Sequence, residues 1–351
     1  MNRLLYILTP LLMMTACQKL EDKGEPASGK EMIEFQSSVI SILSRGMPVT
    51  KDDQTALLSA GVYACFTGTD SFDEANSTPD YMDNQLLERS WNGTVFTEWT
   101  YSPSKYWPAA GNKLTFLAYA PYSSLCPGLT LIQEAGTAYP KMNFTVEPEI
   151  EKQIDLLIAE PTKDYDRSKG TTVTMKMQHA LTQLTFSAAV DAASNAAGKV
   201  QVLSIKLKGI RYQGSTYMNT PIAWTTASSN RTDYELSITN GLLRNTTLTK
   251  DMDLIIEKSG VLLLMPQEFA DITHGIIEVT FGVKENPDET SMVKTFYLTD
   301  FTPDEQAWKP GRALNYQISF DSGLINLTVT LKPWQAMPAI DGGDDGLLPW
   351  D

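Results

Sequence analysis

Histidine and cysteine are scarce: the chain has two of the first, His179 and His274, and three of the second, Cys17, Cys65 and Cys126. With no C-x-x-C pair and no cysteine beside either histidine, a thiolate metal centre is disfavoured. No H-E-x-x-H, no G-x-S-x-G, no phosphate-cradling glycine loop and no EF-hand loop occurs; the late DGGDDG lacks the oxygen spacing and closing glutamate of a calcium loop. Each histidine lies in or beside an apolar strand pattern, so His179 reads as a hydrogen-bonded structural imidazole rather than a base. Asp155, Glu160, Asp164 and Asp166 fall close together, but among 42 acidic residues such a cluster reads as solvated loop rather than a glycosidase pair. No catalytic residue, metal or cofactor is expected, and the chain reads as a non-enzyme.

Positive charge is also short. Acidic residues outnumber basic ones 42 to 28, the formal charge is −14 and the pI is near 4.7. Phosphate binding needs a basic surface, so nucleic acid is not an expected partner. Long apolar runs are nearly absent. The one near the start, Leu4–Met14, follows Arg3 and is too short to span a bilayer as a helix, yet it matches a signal-peptide core. It ends in MMTACQKLED, where the small residues Thr15 and Ala16 precede Cys17. That order resembles the bacterial lipobox, which implies diacylglyceryl transfer to Cys17 and cleavage before it. Residues 1–16 are then a lipoprotein signal peptide, and 17–34, charged at its start and poor in apolar residues, a lipidated tether. Cys65 and Cys126 read as buried thiols or one disulfide.

Helical periodicity is scarce too. From Phe35 onward the chain consists of short runs rich in Val, Ile, Leu, Thr, Phe and Tyr, broken by Gly, Pro, Asn and Asp, as in antiparallel sheets. TVTMKMQHALTQLTFSAAV (residues 172–190) carries its large apolar side chains at odd positions through Met177 and at even positions from Leu184, so a corner near His179–Gln183 must re-aim the strand between sheets. The polar stretch at 191–199 suggests a boundary. The reading is all-β, with an N-terminal sandwich at 35–190, a C-terminal one at 191–334 and an acidic tail at 335–351. Near the end, Tyr316, Ile318 and Phe320 share one strand face, Asp321-Ser322-Gly323 turns, and Ile325, Leu327, Val329 and Leu331 share a face of the return strand.

The aromatics Trp91, Trp99, Tyr101, Tyr106 and Trp107 cluster before the strand KLTFLAYAPY. Core packing is the first reading for them. Ligand stacking on Trp99 and Trp107 is the alternative, and with it a non-polymerising glycan-binding surface lipoprotein.

Four passages, YWPAAGNKLTFLAYAPY, DLLIAEPTKD followed by VTMKMQHALTQLTFSAAV, VLLLMPQEF and WKPGRALNYQISFDSGLINLTVTLKPW, together resemble the fimbrillin family, the type V pilins and accessory lipoproteins of Bacteroidales. The resemblance implies two tandem transthyretin-like β-sandwich domains and export to the outer membrane as a lipid-anchored protein. It implies a role in fimbriae and adhesion, with other fimbrial subunits as partners and host proteins or glycans as possible targets. For polymerising members it also implies removal of the N-terminal segment after an arginine, which here matches Arg45, before Gly46. A donor strand from a neighbour's C-terminal region would refill the sandwich; in this chain the matching plugs are Ile325, Leu327, Val329 and Leu331, or Leu347, Leu348 and Trp350 in the tail.

Overall fold

The structure, a computed structural model, describes residues 31–40, 57–90, 96–190, 199–238, 253–254, 261–270, 272–285, 288–301, 308–321 and 324–332. No α-helix occurs among them; helical structure is limited to single 3-10 turns such as Ser123–Leu125. The first half of the chain supplies β1 (Glu34–Ile40), β2 (Ser59–Gly68), β3 (Met82–Glu88), β4 (Lys113–Ala120), β5 (Leu129–Ile132), β6 (Lys141–Thr145), β7 (Leu157–Ala159), β8 (Thr162–Tyr165) and β9 (Thr172–His179). The second half supplies β10 (Thr182–Val190), β11 (Lys199–Arg211), β12 (Gln213–Tyr217), β13 (Thr225–Thr226), β14 (Arg231–Ser237) and β15 (Asp253–Leu254). It continues through β16 (Leu262–Leu264), β17 (Ile276–Glu285), β18 (Asp288–Tyr297), β19 (Ala313–Asp321) and β20 (Leu324–Lys332).

These strands form four sheets. The first has the order β1-β9-β7-β4-β2-β3, with β8 beside β4. A second, β15-β10-β19-β20 with β16 beside β10, faces a third, β14-β11-β17-β18, and the ring of Phe281 meets that of Phe320 across the interface at 5.3 Å. This is the packing of a β-sandwich, in which inward side chains of two sheets share one core. The fourth sheet, β13-β12-β6-β5, is mixed in origin: β6 of the first half pairs with β12 of the second, from Gln213 opposite Thr145 to Tyr217 opposite Lys141. One apolar cluster consequently runs from Tyr119 and Phe144 through Leu184 and Phe186 to Ile277 and Phe320.

The expected phase flip is present. In β9, Val173, Met175, Met177 and His179 are buried in alternation, and the chain then turns at Ala180–Leu181 and leaves the first sheet. β10 runs parallel to β19 and antiparallel to β16. The polar stretch after Val190 is therefore not where the sheets part. β10, assigned from sequence to the first sandwich, bonds to second-half strands, and the change of sheet falls ten residues earlier than the expected boundary. Corner polar groups are satisfied from both halves: Ala180 N donates to Leu156 O (2.8 Å), Trp224 Nε1 to Ala180 O (2.6 Å) and Gly311 N to Leu181 O (2.8 Å). His179 Nδ1 lies 2.7 Å from Asp155 Oδ2, which fixes the imidazole structurally.

The C-terminal hairpin matches its reading. Asp321 pairs with Leu324, and Tyr316, Ile318 and Phe320 stand opposite Val329, Leu327 and Ile325. Cys65 and Cys126 are both buried free thiols, so the disulfide alternative falls away.

Candidate functional site

The strand that lies between the expected lipidation and cleavage positions is β1. It pairs in parallel with β9, from Glu34 opposite Thr172 to Ile40 opposite Gln178, and it is the edge of its sheet. Just before it, residues 31–33 run beside the aromatic segment: Met32 bridges Tyr106, Ile33 N donates to Lys105 O (2.9 Å), and Trp107 N donates to Glu31 O (3.0 Å). Ordered packing thus reaches into the expected tether, because Ile33 is completely buried.

Alternation divides β1 into two faces. Glu34 and Gln36 are exposed and bond across to β9 side chains: Gln36 Nε2 donates to Thr174 Oγ1 (2.6 Å), and Thr172 Oγ1 donates to a Glu34 carboxylate oxygen (3.0 Å). Ile33 and Phe35 point into the core. The Phe35 ring meets Tyr101 and Phe116 edge-on, at 5.7 and 5.8 Å. Tyr101 Oη donates to Ile33 O (2.7 Å), and burial pushes its phenol up to about 12. Ser37 follows on the same face, and its Oγ accepts from Trp99 Nε1 at 3.3 Å. The Arg89 guanidinium lies between the rings of Phe96 (3.8 Å) and Trp99 (4.3 Å), while its Nε donates to Leu57 O (2.6 Å).

Trp99 and Trp107 do not form a stacking platform for a sugar. Trp107 is 2% exposed, stacks on Tyr165 and donates from Nε1 to Thr171 O (3.1 Å); Trp99 is 7% exposed, with Arg89 against its ring. The two indoles instead pack in the core of the first sheet beside β1, so the first reading, core packing, holds and the ligand-stacking alternative falls away. The acidic run has separate structural uses: Asp166 accepts from Ser168 N (2.7 Å), and Asp164 accepts from Phe72 N (2.8 Å).

Of the donor-strand residues, Ile325, Leu327 and Val329 are half-buried on β20, itself a sheet edge paired only with β19 among the described residues. Leu331 belongs to the same strand. Cys17, Arg45, Gly46, Leu347, Leu348 and Trp350 lie outside the described residues, as does Trp91. Sequence reasoning overlooked Ile33 and Phe35 as anchors, although the alternation Ile33-x-Phe35 was there to find.

Comparison with known proteins settles the family. The fimbrillin-like family model matches residues 49–334. The chain belongs to the fimbrillin-like family. The matched segment starts beyond Ile40, so β1 lies outside it. Among characterised relatives, the fimbrium subunit Fim1C of Phocaeicola vulgatus is 28% identical over 156 residues, which is 41% of this chain and 40% of that one. A fimbrial protein from Bacteroides vulgatus shares the fold, with a TM-score of 0.63 at 18% identity over 87% of this chain and 99% of the other. A cell-adhesion candidate from Bacteroides uniformis gives 0.53 at 16% identity, over 89% and 100%.

Proposed function

We propose that this fimbrillin-like chain is a structural or accessory subunit of a cell-surface fimbria, exported as a lipoprotein acylated on Cys17 and supporting adhesion. Cutting after Arg45 then makes it competent to assemble. The observation that carries the reading is the position of β1: an edge strand, paired on one side, lying between Cys17 and Arg45 in the chain.

A cut after Arg45 would sever β1 and the lipid from everything that follows. β1 would then be held by its ladder to β9, by the bonds of residues 31–33 to Tyr101 and to Lys105–Trp107, and by the packing of Ile33 and Phe35. Its departure would leave the outer backbone groups of β9 unpaired above a cavity lined by Phe116, Tyr101 and Met175, a costly state unless another strand fills it. A strand from another subunit can do so, its main chain giving affinity and its alternate side chains plugging the cavity. β20, whose sequence alternates Ile325, Leu327, Val329 and Leu331, is one donor segment this chain can offer, the tail with Leu347, Leu348 and Trp350 being the other, and β20 must leave β19 to serve. Other fimbrial subunits and the outer membrane are the partners this implies, and adhesion to a host protein or glycan follows from the assembled fimbria.

The test is assembly after cutting. Full-length chain folded intact and then cleaved after Arg45 is incubated at high concentration, alone and with other fimbrial subunits, and run unboiled on a denaturing gel. Ladders that appear only after cleavage support the reading; a monomer under every condition refutes it.

A further inference from the structure

We infer that the groove under β1 reads the sequence of the strand that fills it, selecting an aromatic ring flanked two positions away by an aliphatic side chain on one side and a small hydrogen-bond acceptor on the other. This rests on β1 being the strand that leaves. The partner it fits is a foreign strand with that pattern, not the β20 of a second copy of this chain.

The segment formed by Ile33 and β1 turns Ile33, Phe35 and the half-buried Ser37 inward. The middle position is bounded by the rings of Tyr101 and Phe116, both near-perpendicular to Phe35 at interplanar angles of 71° and 83°. Such edge-to-face contacts favour another ring, because the positive edge of one meets the negative face of the next. An aliphatic plug leaves part of this space empty and loses those contacts.

The third position is polar by requirement. Trp99 is nearly buried, and its Nε1 hydrogen is directed at Ser37 Oγ. The indole has little freedom to turn away, because Arg89, itself bonded to Leu57 O, lies against its ring. A Val or Leu at that place would cover the N–H without accepting from it, and an unsatisfied buried donor is expensive. A serine, threonine or asparagine satisfies it.

β20 lacks both features. Its apolar face carries Ile325, Leu327, Val329 and Leu331, four aliphatic side chains with neither ring nor acceptor, and its polar positions Asn326, Thr328 and Thr330 fall on the opposite face. No register or strand direction brings a ring and an acceptor onto that face. The groove of this chain and its β20 are mismatched, which argues against the β20 of a second copy as the filling strand.

The experiment uses the full chain with a site-specific protease sequence inserted between Arg45 and Gly46, folded intact and then nicked. Labelled nine-residue peptides compete for the groove: residues 32–40, the same peptide with Phe35→Leu, the same with Ser37→Val, and residues 324–332. The expected result is incorporation of the 32–40 peptide, roughly tenfold weaker binding for each single variant and about a hundredfold weaker for the 324–332 peptide. In protein carrying Trp99→Phe, which keeps a ring but has no N–H, the penalty on the Ser37→Val peptide disappears while that on Phe35→Leu remains. Equal binding of all four peptides overturns the selectivity and leaves strand exchange standing. Failure of the 32–40 peptide to enter at all overturns the exchange reading, and the selectivity with it.

Discussion

Replacing Phe35 by Ala should loosen β1 without unfolding the rest. The ring is 7% exposed and packs on Tyr101 and Phe116, so its truncation removes about 3–4 kcal/mol of docking energy, the usual range for a buried aromatic. At about 1.4 kcal/mol per factor of ten, the opening equilibrium of the strand shifts by two to three orders of magnitude. Hydrogen exchange followed by mass spectrometry on intact full-length protein reads this directly. Amides in Glu34–Ile40 and those amides of β9 that bond to β1 should exchange roughly a hundredfold faster or more, while the β9 amides facing β7 and those of β10 and β19 keep their wild-type rates. Equal acceleration in β10 and β19 would show that β1 is not a separable unit. Unchanged exchange in Glu34–Ile40 would show that Phe35 does not hold it. Either result refutes the argument that the first strand can leave alone.

Three further outcomes follow from the packing. Gly61→Ala places a Cβ about 2.2 Å from the ring of Tyr119, which is buried and held by Asn84 and Ser123, so overpacking should cost about 2–3 kcal/mol and lower Tm by roughly 5 °C or more in calorimetry. Cys65 and Cys126 are pushed up to about 12 by burial, so little thiolate exists at pH 8, and peptide mapping should find both alkylated by iodoacetamide only after denaturation. Because β6 pairs with β12 and one core spans both halves, residues 31–180 expressed alone should be insoluble or lack a cooperative melt, whereas two independent domains would give a soluble fragment with its own sharp transition.

Strand identity was readable where alternation is undisturbed. The hairpin from Tyr316 to Leu331 and the phase change after Met177 follow from period-two patterning alone. Sheet membership was less readable, because β10 is buried along its whole length and its pattern does not say which neighbours cover it. The polar stretch after Val190 drew the expected boundary, yet composition marks a loop, not the point at which hydrogen bonding changes partners. The aromatic segment left an alternative open for a related reason: nothing in the sequence from Trp99 to Trp107 distinguishes indoles that cover a sheet, as these do, from indoles that face a ligand. The parallel pairing of β1 with β9 joins residues 138 positions apart, a contact that local pattern cannot supply.

The most direct test of the account is the intact mass and N-terminal sequence of the native protein sheared or extracted from cells. The account predicts a species that starts at Gly46 and lies in high-molecular-weight fimbrial material. A protein found entirely as an acylated chain beginning at Cys17 and monomeric after detergent extraction would contradict it.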